Sequence, residues 1–302
     1  MEAGPPVDAN DSFRDVDVGE VSLRIRESGH GPLVVLLHGF PEFAGAWDAQ
    51  RVALAEAGYR AVAVDLRGYG GSGKPEPVAA YRIERLAEDI ATLVRALGHD
   101  DALIVGHDWG AMVAWQVAMA HPDVVRGLAI LNVPHPKRML EGLTTLRQLK
   151  KSWYIGFFQL PALPEWLLGR KRSAGLRAIF LRDGMPRARA EEYAREVGPD
   201  VHYGLQYYRA ARSALLRPTA APTRIDVPVL VVWGERDRFL GKELAAPPPD
   251  LVPHARVRFL PHATHWLQED AADEVSAELV GFAAETASST PQLRAAAFQE
   301  EP

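Results

Sequence analysis

The chain has 302 residues, is 47% hydrophobic and sets 34 Lys or Arg against 39 Asp or Glu, for a net charge of −5. That length buries one large core, or a core with an inserted subdomain, and the acidic balance gives no electrostatic case for nucleic acid or an anionic membrane. The absence of cysteine excludes disulfides, thiol nucleophiles and thiolate metal sites, and with no signal-peptide pattern over residues 1–10 and no apolar run of spanning length the expectation is a cytoplasmic protein with no membrane partner.

In chain order, residues 21–26 read as an early strand and 33–37 as a fully buried one. Residues 43–57 have helical spacing and stop at Gly58, 61–64 form the next buried strand, and 83–97 form a helix stopped by Gly98. A strand at 102–106, an apolar helix closed by Pro122 and a strand at 127–131 follow. Strands alternating with helices predict an α/β fold, with a mainly parallel sheet covered on both faces. The alternation breaks from residue 134 to 222, a stretch rich in Arg, Leu, Trp, Tyr and Phe with helical spacing, which predicts an inserted helical cap. Strands resume at 227–233 and 255–259, with a closing helix at 270–284. The expected division is 1–133 for the first part of the core, with 1–12 flexible, 134–222 for the cap, 223–286 for the second part of the core and 287–302 for a flexible tail.

Gly106-His107-Asp108-Trp109-Gly110 joins the 102–106 strand to the next helix. Small residues two places either side of a strand-to-helix turn are the signature of a nucleophile elbow, whose central residue is strained and closely packed. Taken alone, an aspartate there also reads as a helix N-cap. In this architecture the acid and then the histidine follow the nucleophile along the chain. Gly234-Glu235-Arg236-Asp237 follows one late strand, and Pro261-His262-Ala263-Thr264-His265-Trp266 follows the next. Both lie at carboxyl ends of strands, where ligands gather in open parallel sheets. Asp108, Asp237 and His265 thus complete a triad by order and position, with Glu235 as the alternative acid. A metal at His262 and His265 is disfavoured, because no Glu follows the first histidine and no cysteine is present.

His38-Gly39-Phe40-Pro41-Glu42 follows the 33–37 strand, where an oxyanion loop belongs. The backbone N–H groups of Phe40 and Trp109 are expected to face the side-chain oxygen of Asp108. Gly68-Tyr69-Gly70-Gly71-Ser72-Gly73-Lys74-Pro75 fits the spacing of a phosphate loop, but proline stands where Ser or Thr must hold magnesium, so it reads as an ordinary loop.

A carboxylate attacks esters and amides poorly but displaces a leaving group from saturated carbon. The resulting ester on Asp108 would be cleaved by water that His265 deprotonates, with the oxyanion loop acting in this second step. Halide and the oxygen of a strained epoxide both suit such chemistry, and an opening epoxide needs an O–H donor such as tyrosine. Candidate donors open the cap, in Ser152-Trp153-Tyr154-Ile155-Gly156-Phe157-Phe158, and lie near its end, in Gln206-Tyr207-Tyr208-Arg209. Aromatic stripes of this kind also serve as plain core.

Taken together, the 38–42 loop, the elbow, Trp153-Tyr154, Tyr207-Tyr208-Arg209 and Thr264-His265-Trp266 resemble the α/β-hydrolase epoxide hydrolases over residues 21–284. The resemblance implies Asp108 as nucleophile, His265 as base, Asp237 as supporting acid, Tyr154 and Tyr208 as the ring-opening pair, and no metal or organic cofactor. Tyr208 is favoured over Tyr207 because the family pattern puts this tyrosine directly before arginine. Glu42 and His107 are implied to flank the site, and His38, Trp153, Phe157, Phe158, Tyr207 and Trp266 to line the substrate. Trp153, Phe157, Phe158, Leu160 and Trp166 suggest an apolar cap wall. The expected partner is a small epoxide, with a homodimer as the candidate assembly. A dehalogenase with the same triad is the alternative reading. Dehalogenases of this fold carry Asn where Phe40 stands or Arg where Trp109 stands, and this chain has neither.

Overall fold

A computed structural model describes residues 12–215 and 223–288. Eight strands form one sheet: β1 (Ser12–Asp17), β2 (Ser22–Ser28), β3 (Leu33–Leu37), β4 (Arg60–Val64), β5 (Ala102–His107), β6 (Val125–Leu131), β7 (Val229–Gly234) and β8 (Ala255–Leu260). Their order is β1-β2-β4-β3-β5-β6-β7-β8, antiparallel in the first two pairings and parallel from β4 to β8. This is the α/β-hydrolase architecture.

The continuous apolar runs of β3 and β5 reflect burial on both faces. Side chains alternate across a strand, so Leu33, Val35 and Leu37 share a core with Ile90 of α2 (Ile83–Ala96) and Val113 of α3 (Trp109–Ala120). On the opposite face, Val34 and Leu36 pack in a core with Leu54 of α1 (Asp48–Glu56) and Leu279 of α11 (Ala272–Ser288). Among the described residues between β6 and β7 lie six α-helices of the cap: α4 (Pro136–Gly142), α5 (Leu146–Lys151), α6 (Trp153–Phe157), α7 (Leu163–Arg182), α8 (Arg187–Val197) and α9 (Val201–Leu215).

Two sequence expectations need correcting. The antiparallel edge strand β1 begins at Ser12, the last residue of the segment expected to be flexible. Its pattern is weak because Val16 is buried while Phe13 is 60% exposed. The closing helix is divided at Ala271 into α10 (Leu267–Asp270) and α11, and α11 continues to Ser288, into the expected tail. The rest of the tail, the rest of the first twelve residues and positions 216–222 lie outside the described residues. No helix of the described residues is long and apolar enough to cross a membrane.

Candidate active site

Asp108 occupies the turn between β5 and α3 with φ 46° and ψ −120°, a conformation costly for any residue with a Cβ. Close packing holds it there. A Cβ on Gly106 would lie 2.5 Å from the Gly110 oxygen, one on Gly110 would lie 2.2 Å from the Leu37 oxygen, and one on Gly39 would lie 2.3 Å from the Asp108 Cβ. The three glycines let the β3 loop, the elbow and α3 approach at backbone contact. The Phe40 N–H then donates to Asp108 Oδ1 at 2.8 Å. Trp109 begins α3, so its N–H has no intrahelical acceptor.

His265 lies behind this carboxylate, with Nε2 3.6 Å from Asp108 Oδ2, and its Nδ1 contacts Asp237 Oδ2 at 2.8 Å. The longer distance is an ion-pair contact rather than a well-formed hydrogen bond. The other Asp237 oxygen accepts from the N–H groups of Phe239 (2.6 Å) and Leu240 (2.9 Å), which fixes the carboxylate plane. Glu235, the alternative acid, instead pairs with Lys242 near the surface. His262 is likewise excluded from the site: it is half exposed and meets Glu274 at 2.9 Å. Among the described residues, no group of three metal-ligating side chains is arranged to hold an ion.

Burial works against charge here, and the neighbours outweigh it. For Asp108, burial pushes the carboxyl up, but the close imidazole of His265 and the Phe40 N–H hold it below the ordinary carboxylate range. For His265, burial pushes the imidazole down, while Asp237 and Asp108 raise it further, to about 10.

The resemblance implies that Glu42 and His107 flank the site and that His38 lines the substrate; all three side chains are fully buried, and their contacts are with the loops around Asp108. His38 Nδ1 meets the Gly39 oxygen at 2.8 Å and Nε2 accepts the Leu66 N–H at 3.1 Å, so its ring braces the loop. Glu42 accepts from the Gly39 N–H at 2.7 Å and meets His107 Nδ1 at 2.7 Å. His107 Nε2 reaches the His265 carbonyl at 2.8 Å. The chain of contacts therefore ties the Phe40 loop to the His265 loop through the elbow. Glu42 is held below its usual range: burial raises it, and the charge and hydrogen bond of His107 lower it by more.

Tyr154 from α6 and Tyr208 from α9 meet edge-on, with ring centroids 6.1 Å apart. Tyr208 also packs on Trp109 at 5.0 Å and on Phe40 at 5.5 Å. Burial is the main reason that both hydroxyls resist ionisation, and the nearby Asp108 charge adds to it. They remain O–H donors. For Tyr208 the Trp109 indole opposes the rise. Tyr207 points elsewhere, donating its hydroxyl to the Arg67 carbonyl at 2.7 Å, so it anchors the cap to the core rather than lining the substrate.

Phe158 is buried between Tyr154, Tyr208 and Phe40, and Phe157 is partly buried beside it. Trp153, Leu160 and Trp166 are not a wall of the site, because all three are exposed at the outer surface. On a helix, neighbours point about 100° apart, so burying Tyr154 turns Trp153 outward. Trp266 is also not at a substrate surface: it packs behind His265 at 4.9 Å and donates its indole N–H to Asp183 at 3.2 Å.

Several contributors escape sequence reasoning. Phe239 packs on His265 at 4.8 Å and on Tyr154 at 5.7 Å, but it lies in a loop, where no periodicity marks it. From α5, Lys151 Nζ donates to the Asp237 carbonyl at 2.7 Å and Gln148 Nε2 to the Phe239 carbonyl at 2.8 Å, so the cap stitches the acid loop in place. Asn132, at φ 55° after β6, donates to the Thr264 and His265 carbonyls at 2.8 and 3.0 Å and accepts the Gly234 N–H at 2.7 Å. Its one signal is an amide residue where a parallel strand ends. Asn132→Ala leaves the buried Gly234 N–H without its acceptor, takes a donor from the Thr264 and His265 carbonyls and puts Ala at positive φ. We expect a loss of about 2 kcal/mol or more, measurable by urea unfolding; an unchanged midpoint would show that the clamp contributes nothing.

Comparison with known proteins follows the same lines. Residues 32–272 match the α/β hydrolase fold family. The chain is 37% identical to the AB hydrolase superfamily protein YfhM of Bacillus subtilis over 84% of this chain and 92% of that one. It is 36% identical to epoxide hydrolase 3 of Xenopus tropicalis over 84% of this chain and 75% of that one. A crystal structure of a mutant epoxide hydrolase from Bacillus megaterium, complexed with its diol product, superposes with a TM-score of 0.81 at 30% identity, covering 89% of this chain and 99% of that chain. With the elbow, the triad geometry and the paired cap tyrosines in place, this chain belongs to the epoxide hydrolases of the α/β-hydrolase fold.

Proposed function

We propose that this chain hydrolyses a small epoxide to a vicinal diol through a covalent ester on Asp108. The observation that carries this reading is the pair of neutral tyrosines, Tyr154 and Tyr208, sharing one buried site with the Asp108 carboxylate. The carboxylate attacks a ring carbon, the carbon–oxygen bond of the epoxide breaks, and a tyrosine hydroxyl protonates the departing alkoxide. The His265 imidazolium gives up its proton as the tyrosinate regains one, His265 then takes a proton from water, and the resulting hydroxide attacks Cγ of the ester. The Phe40 N–H, already on Asp108 Oδ1, bonds the oxyanion that forms. Collapse of that intermediate breaks the bond from Cγ to the alkyl oxygen, which takes the proton of the added hydroxyl and leaves as the diol, so the carboxylate is restored and His265 is protonated as at the start.

Esterification also prepares the base. Before reaction, two carboxylates hold His265 at about 10, in its protonated form. The ester removes one of those charges, so the imidazole becomes easier to deprotonate when a base is needed. The same triad could displace a halide, but two neutral hydroxyl donors beside Trp109 and Phe40 suit the oxygen of an epoxide better. Offering parallel panels of epoxides and alkyl halides and measuring diol and halide release tests the reading; halide release without diol formation would overturn it.

The raised His265 value also makes stability depend on pH. Its folded value, about 10, exceeds its ordinary 6.5. The stabilisation is therefore complete below about 6.5 and is lost as pH rises through about 10. Asp108→Asn removes one of the charges responsible, so His265 should titrate at lower pH. Imidazole NMR titration of the two proteins checks this, and coincident curves would contradict it.

A further inference from the structure

The cap presents an apolar face that the core does not cover. In the first half of α7, Leu163, Trp166, Leu167 and Arg170 are all exposed at i, i+3, i+4 and i+7, one stripe of the helix, while Leu168, Leu176 and Phe180 point inward and are buried. In the chain just before it, Leu146 (77% exposed), Leu149, Trp153 (67%) and Leu160 are exposed as well. Scattered exposed leucines need no explanation, but two tryptophans and a run of leucines on consecutive helices do.

Charge identifies what fits this face. Between residues 142 and 182 there are eight Lys or Arg and a single acidic residue, Glu165, so this span carries +7 in a chain of net −5. The overall balance hides that asymmetry. Glu165 turns inward, to Arg209 at 2.7 Å, and so does Lys151, to the Asp237 and Leu240 carbonyls. Arg147 is paired with Glu243 at 3.3 Å. Lys150 and Arg170 are exposed beside the apolar residues, and the Arg170 guanidinium stacks 4.4 Å over the Trp166 ring. A symmetric contact with a second copy would press this cationic surface against itself. Tryptophan, leucine and basic side chains on one face are the composition of surfaces that lie in a lipid headgroup region.

We propose that the outer face of the α5–α7 segment docks on an anionic lipid bilayer surface, with Trp153, Trp166 and the leucines entering the headgroup layer and Lys150 and Arg170 pairing with lipid phosphate. The surface is peripheral; nothing in it spans the bilayer. Trp153 directly precedes Tyr154, so docking would bring the cap side of the site close to apolar molecules dissolved in the membrane.

The test is co-sedimentation of the full chain with phosphatidylcholine vesicles, with and without phosphatidylglycerol. The wild type should pellet with the anionic vesicles and stay in solution with pure phosphatidylcholine, and added salt should release it. Leu163→Ser with Leu167→Ser, and separately Lys150→Glu with Arg170→Glu, should each weaken partitioning about tenfold or more. Circular dichroism and melting curves, unchanged for these exposed positions, show that the variants are folded. No pelleting with anionic vesicles at low salt, or equal pelleting with both kinds, would overturn the proposal. So would sedimentation equilibrium showing a wild-type dimer that the leucine variants dissociate, because the face would then belong to a second copy.

Discussion

Asp108→Asn should lose diol formation by about 10⁴-fold or more, the scale seen when a covalent nucleophile is removed, while the protein stays folded. Asn keeps the shape of the side chain in its strained turn and can still accept the Phe40 N–H, so a collapse of the fold is not expected. The companion change, His265→Gln, should let ring opening proceed and stop ester hydrolysis. Mass spectrometry should then find the Asp108 peptide heavier by one epoxide. A single turnover of the wild type in heavy-oxygen water should put the isotope in the Asp108 carboxylate, because water attacks Cγ. Label in the diol with none in that carboxylate would mean direct attack of water on the epoxide, and the ester mechanism would fail.

The second large effect is expected at the tyrosines. Their rings meet at 6.1 Å, and both hydroxyls are kept protonated by burial and by the Asp108 charge. Tyr154→Phe or Tyr208→Phe alone should cost about tenfold, because the remaining hydroxyl still meets the alkoxide. The double change should cost about 10³-fold to 10⁴-fold, the scale of a lost general acid. Such non-additivity is the mark of two donors serving one oxygen. The kinetic split matters as well: the loss should fall on the rate of ester formation in single-turnover experiments, not on ester hydrolysis. Tyr207→Phe is the control. Its hydroxyl is engaged by the Arg67 carbonyl, so its removal should lower stability and leave ester formation within a few-fold of the wild type. Equal effects of Tyr207→Phe and Tyr208→Phe would contradict this division of roles.

Buried networks of this kind locate function away from the reacting atoms. Glu42, His107 and Asn132 touch backbone groups of the Phe40 and His265 loops. They set the positions of the Phe40 N–H and of the His265 loop. Their contribution is geometric, and small displacements of such groups are expensive in catalysis.

What the chain's residues determine by themselves is local. A buried run followed by Gly106, Asp108 and Gly110 defines a strand, a tight turn and a helix within a dozen positions, and the swap of period from strand to helix spacing marks the cap. The order of nucleophile, acid and histidine follows from strand ends in the same way, so the α/β-hydrolase fold and the elbow were legible before any coordinates. Tertiary structure shows what separates close neighbours. Glu235 and Asp237 sit two apart in one loop, and the Phe239 and Leu240 N–H groups are what aim Asp237 at His265. Tyr207 and Tyr208 differ by one helical step, which sends one hydroxyl to the Arg67 carbonyl and packs the other ring on Trp109 and Phe40. The same step puts Trp153 in solvent and Tyr154 in the site. Periodicity gives the angle between side chains, but the partner each one meets depends on packing between segments distant in sequence.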